Sequence, residues 1–189
     1  MRVALRLIYF ILAAWLAACA AQAPPRLLVD PSVDADFSKL AQKTWQQFLK
    51  AFHAQAGCFG DVRLRAAYDL NSRAAYDPHT ETVTVHVPGS AAMLSGALVH
   101  EWAHHVEFQC PAHKQLRAAF LAAQGLPPGT QWRPDDTPAY TPESVWAEIP
   151  SEQYAEAAIE VVLGRRQVPT TVRVTPKAVR VLARWAAGE

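Results

Sequence analysis

Apolar residues recur along the chain in three rhythms. The first is an unbroken run, Leu7 to Ala18, preceded by Arg2 and Arg6. It is too short for a comfortable membrane-spanning helix and ends in small residues, the pattern of a secretory signal. The second is helical. Over residues 34–56, Phe37, Leu40, Ala41, Trp45, Phe48, Leu49 and Phe52 recur three and four apart. This predicts a first helix, which Gly57 ends. The third is alternation, in Val62-Arg63-Leu64-Arg65 and again from Glu81 to Val87. Val83, Val85 and Val87 share one face; Thr82, Thr84 and His86 share the other, where His86 is expected to meet solvent. Asn71-Ser72 and Asp77-Pro78-His79-Thr80 supply turns, so a small antiparallel sheet is expected over residues 61–88.

Ser90 to Phe108 returns to a helical composition, rich in Ala and Leu and free of proline, with Ser90 as N-cap. Gly125 to Pro142 is rich in Pro and Gly, a loop long enough to form a cleft wall or lid. Pro150 suits a helix start. Thr175-Pro176 opens a last helix with Val179, Leu182, Ala183 and Ala186 as its apolar face. The expected fold class is α+β: a small sheet, one central helix and further packed helices. The expected organisation is a signal peptide over 1–18, a tether over 19–33 stiffened by Pro24 and Pro25, and one folded domain over 34–189.

Charge narrows the function classes. Without Arg2 and Arg6 the chain keeps 16 Lys+Arg against 17 Asp+Glu, so no basic excess points to nucleic acid. Cys58 and Cys110 are the two cysteines beyond Cys19. In an exported protein that even pair suggests one disulfide, worth about 4 kcal/mol on the loop-entropy account, with two buried thiols as the alternative.

The chemistry-bearing residues lie in the central helix. His100 and His104 are four apart, hence one above the other on one helix face, and can offer two imidazole nitrogens to one metal ion. Glu101 projects from the flank of that pair, placed to act as a base on water. The string H-E-x-x-H resembles the zincin motif, which implies zinc ligation by His100 and His104 and general-base catalysis by Glu101. His105 points about 100° away from His104 and reads as structural.

A third ligand must come from elsewhere. Six residues past His104, where metzincins place a third His after a turn-forming glycine, stands Cys110, and the glycine position is Glu107. The later stretch P-S-E-Q-Y-A-E-A-A places Glu152 and Glu156 four apart on a helix. E-x-[FY]-A-E after H-E-x-x-H is similar to small gluzincins, including the bacterial lethal-factor type of metallopeptidase. That resemblance covers roughly residues 76–163 and implies Glu152 as third zinc ligand and Glu156 as a partner that orients a ligand. It also implies an edge strand before the central helix that receives an extended peptide. Tyr140 is a candidate for stabilising the oxyanion, and Tyr154 a weaker one.

Leu16-Ala17-Ala18-Cys19 resembles the bacterial lipobox, which implies a lipidated Cys19 and export to the cell envelope, the outer membrane where there is one. The expectation is therefore a zinc metallopeptidase acting on peptide or protein, lipid-anchored to a membrane. The alternative is a catalytically silent zinc-binding lipoprotein that serves as a scaffold or binding module. Glu101 argues against it, since a purely structural metal site needs no base.

Overall fold

The structure, a computed structural model, describes residues 23–134 and 142–189. Cys19 and Tyr140 lie outside the described residues. The elements run β1 (Leu27–Val29), α1 (Ala35–Ala51), a 3-10 turn (His53–Gln55), α2 (Ala56–Phe59), β2 (Val62–Ala67), β3 (Ala74–Asp77), β4 (Thr82–His86), α3 (Ala91–Gln109), α4 (His113–Gln124), α5 (Glu143–Trp146), α6 (Pro150–Leu163) and α7 (Pro176–Ala187). The class is α+β, as expected. Among the described residues no helix is long and apolar enough to cross a membrane.

The sheet differs from the expectation. Its order is β1-β2-β4-β3, with β1/β2 and β2/β4 parallel and only β3/β4 antiparallel, so it is mixed rather than antiparallel. Alternation reports which face each residue takes, not strand direction. Direction is set by the crossover: α1 and α2 carry the chain from β1 back to the start of β2, as a parallel pair requires. The β3–β4 hairpin does follow its turn residues. The Asp77 carboxylate accepts from the His79 N–H at 2.9 Å and the Thr80 hydroxyl at 2.7 Å. Val83, Val85 and Val87 face the core and His86 is exposed, as their alternation requires.

Two boundaries also move. Leu27–Val29, read as tether, pairs in register with Val62–Leu64. The Pro25 carbonyl accepts the Trp45 indole N–H at 3.2 Å, so the fold begins well before residue 34. The first helix stops at Ala51, and Gly57 sits inside α2 instead of ending α1. Phe52 leaves helical geometry with its ring still buried, stacked on Phe48 at 4.5 Å. Gly60, at φ 72°, makes the turn into β2, a conformation that suits glycine.

Packing holds α3 at the centre. The rings of Trp45 and Phe48 on α1 pack against Trp102 of α3, with Trp45–Trp102 centroids 4.9 Å apart, and Phe59 of α2 packs in turn on Trp45 and Phe48. A second cluster, His113, Phe120, Trp132, Tyr154 and Trp185, joins α4, α6, α7 and the stretch after α4. The Cys58–Cys110 disulfide is formed and ties α2 to the end of α3. Helix α4, which the sequence reading left unassigned, buries Leu116, Phe120 and Leu121 and ends at Gly125 in the left-handed conformation.

Candidate metal centre and cleft

Helix α3 begins with the Ser90 hydroxyl accepting from the Met93 N–H at 3.3 Å, as the N-cap reading expects. From Ala97 to Glu107 every residue is buried. The helix is wrapped by the sheet, α1 and α6, so its polar residues must find partners inside the protein. Five such side chains lie there: His100, Glu101, His104, His105 and Glu107.

The structure brings His100, His104 and Glu152 together. His100 Nε2 and His104 Nε2 are 3.2 Å apart, and Glu152 Oε2 is 3.0 Å from the first and 3.3 Å from the second. These three atoms form a buried group that can hold a metal ion. Glu152 lies in the first turn of α6, where the helix N-terminus favours a carboxylate.

Each imidazole is fixed from behind by a different carboxylate. His100 Nδ1 is 3.3 Å from Glu156 Oε1, and His104 Nδ1 is 2.9 Å from Glu107 Oε2. Glu156 thus partners His100 at the ring nitrogen that does not face Glu152. A proton on each Nδ1 leaves each Nε2 directed at Glu152. The Trp146 ring stacks on His100, centroids 5.8 Å apart, and limits its rotation.

Glu107, which occupies the metzincin glycine position, has as many partner residues in the site as Glu152. Glu107 Oε1 accepts the Trp132 indole N–H at 2.9 Å, and its Oε2 accepts from Arg133 at 3.1 Å as well as from His104. Arg133 also reaches Glu152 Oε1 at 3.4 Å. The adjacent pair Trp132-Arg133 thus clamps the stretch after α4 onto the site. A position three past His104 on a helix could have been found by spacing. Trp132, Arg133 and Trp146 come from distant segments, and no local pattern announces them. Arg166, which pairs with Glu160 at 3.1 Å and Glu156 at 3.6 Å, is a further residue of this kind.

The electrostatics follow from burial against pairing. Burial opposes charge on His100, but the hydrogen bonds it donates to Glu152 and Glu156 outweigh it and raise the pKa to about 10. For His104 the same opposition is overcome by Glu152 and Glu107, raising it to about 9. Burial likewise works against charged Glu107 and Glu152, yet His104 and Arg133 hold Glu107 down at about 2, and the two imidazoles hold Glu152 far below the carboxylate range. The site is built to keep positive charge between carboxylates. Glu101 is different: burial pushes its carboxyl up, with His100 and His104 opposing.

A cleft of about 420 Å³ opens over these groups, lined by His100, Glu101, His104, Glu152 and Arg133 on one side and by Arg73, Ala74 and Tyr76 on the other. The sheet order places β3 at the edge beside this cleft, while β4, nearer to α3 in sequence, is internal. Of the remaining candidates, His105 is structural. Its Nδ1 lies 2.9 Å from the Tyr76 hydroxyl and its Nε2 3.4 Å from the Gly60 carbonyl, and burial lowers its pKa to about 4. Tyr154 is a core residue with no exposure, packed against His113, Phe120 and Trp132. It does not line the cleft, so the weaker oxyanion expectation is corrected. No protein-family model, curated protein or solved structure matches the chain.

Proposed function

We propose that this protein is a zinc-dependent metallopeptidase. The observation that carries the reading is the convergence of His100 Nε2, His104 Nε2 and Glu152 Oε2 beside Glu101 at the floor of an open cleft. The separations of 3.0–3.3 Å agree with the roughly 3.3 Å between neighbouring donors of a tetrahedral site whose bonds are about 2.0–2.1 Å. Two imidazoles, neutral once a metal displaces their Nε2 protons, and one carboxylate are also a donor set that suits zinc. Zinc held there would supply Lewis acidity, lowering the pKa of a water and polarising a carbonyl.

The chain's own residues do the rest. Glu156 and Glu107 hold the Nδ1 protons and so keep both Nε2 lone pairs directed inward. Glu101 accepts the proton of the attacking water and returns it to the leaving nitrogen as the C–N bond breaks. The exposed main-chain edge of β3 borders the cleft, a place where an extended peptide can add as a further strand. The lipidated Cys19 implied by the sequence would hold this activity at a membrane of the cell envelope.

Incubation of the purified protein with a peptide library, with zinc and then with chelator, tests the activity. Cleavage that chelation stops and zinc restores supports it. Zinc-loaded protein that cleaves nothing leaves the silent binding module as the better reading.

A further inference from the structure

We propose that the exposed face of α1 docks on anionic lipid headgroups. Lys39, Lys43 and Lys50 stand at i, i+4 and i+11 of this helix. At about 100° per residue they fall within about 40° of one another, a stripe roughly 16 Å long. All three are exposed, with Gln46 between them and no acidic residue in the stripe. Asp36, at the start of the helix, meets Lys39 at 3.3 Å, but both side chains are largely in water and such a pair binds weakly.

A second observation says what this face meets. The groove that Lys39, Lys43, Gln46 and Lys50 line is closed by Pro24 and Pro25. There the Trp45 indole N–H donates to the Pro25 carbonyl at 3.2 Å, so the chain enters the fold against α1. Residues 1–22, with the apolar run Leu7–Ala18 and Cys19, lead directly to this point. Pro25 is six chain steps beyond Cys19, at most about 20 Å of extended chain. An attachment to a bilayer at or before Cys19 therefore holds the lysine face close to the headgroups. Lysines near an anionic leaflet each strengthen partitioning by about fivefold, so three give about a hundredfold, and a lipid chain plus a basic patch is an effective pair of membrane signals. The face would fix the orientation of the domain on the membrane instead of leaving it to swing on its tether. This role needs membrane attachment through residues 1–22 and is independent of peptidase chemistry.

The test is amine acylation of the full-length chain on vesicles of phosphatidylcholine, with or without phosphatidylglycerol, read by mass spectrometry. The chain has five lysines, so the exposed Lys114 and Lys177 serve as internal standards. Lys39, Lys43 and Lys50 should be shielded at least threefold relative to those two on anionic vesicles only, and 0.5 M salt should remove the shielding. A chain carrying Lys43→Glu should lose the shielding of Lys39 and Lys50 while its circular dichroism stays unchanged. Equal acylation on both vesicle types overturns the proposal. So does equal shielding by soluble polyglutamate, which would assign the stripe to an acidic protein. N-terminal mass spectrometry reads the anchor separately.

Discussion

Glu107→Ala is the perturbation that exposes how this site is supported. Its carboxylate accepts from His104 Nδ1 at 2.9 Å, from the Trp132 indole at 2.9 Å and from Arg133 at 3.1 Å, and it is buried. Truncation leaves the indole N–H with no acceptor and removes the charge opposite Arg133. Breaking a buried charged pair from one side costs about 3–5 kcal/mol, much of it the desolvation of the group left behind. It also frees the His104 ring to turn. Loss of a ligand-orienting partner lowers metal affinity by about tenfold to a hundredfold, or about 1.4–2.7 kcal/mol. Denaturant unfolding with and without saturating zinc separates the two effects. The apo protein should lose about 3–5 kcal/mol, and the increment that zinc adds should shrink by a further 1.4–2.7 kcal/mol at the same free zinc. Glu107→Gln keeps an acceptor for the indole, so it should recover much of the stability but less of the zinc increment. If zinc adds as much stability to Glu107→Ala as to the wild type, Glu107 does not orient a ligand and the reasoning fails.

Other expectations follow from the same geometry. Glu152→Ala should abolish measurable zinc binding in chelator competition, whereas Glu156→Ala should weaken it by about tenfold to a hundredfold; the reverse order would exchange their roles. Reduction of the disulfide, which spans 52 residues of sequence, should lower stability by about 4 kcal/mol in denaturant, and a loss below about 1 kcal/mol would contradict the loop-entropy account. His113 is buried, and burial lowers its pKa to about 3, so the unfolded chain takes up a proton near pH 6.5 that the folded chain refuses. Stability should therefore fall as pH drops from about 6.5 towards 3, by up to several kcal/mol, and His113→Phe should flatten that slope. An unchanged slope would show that His113 does not set it.

Much of the site could be read from spacing, because its residues repeat at helical intervals. His100, Glu101 and His104 share one turn of α3, and Glu152 and Glu156 one turn of α6, so local geometry fixes each set before the helices meet. What spacing cannot give is contact across the fold. Trp132, Arg133 and Trp146 reach the site from segments whose positions depend on packing. Tyr154 looked available from its place near Glu152, yet its side of α6 faces His113 and Phe120. In the fold, alternation identified the valines that face the core but not strand direction, so a mixed sheet was read as antiparallel. The three residues of β1 are too few to carry a pattern of their own and gain their meaning only from pairing with β2.

The most direct measurement of the central claim is made on Glu101→Gln. Its amide keeps the size of the carboxylate but cannot accept the water's proton. The variant should bind one zinc with wild-type affinity, since Glu101 is not among the three converging donors. Its peptide hydrolysis should fall by at least a hundredfold. Zinc stoichiometry and turnover on one preparation decide the matter. Bound zinc with hydrolysis lost is the predicted result; bound zinc with wild-type turnover would remove Glu101 from the chemistry and contradict the account.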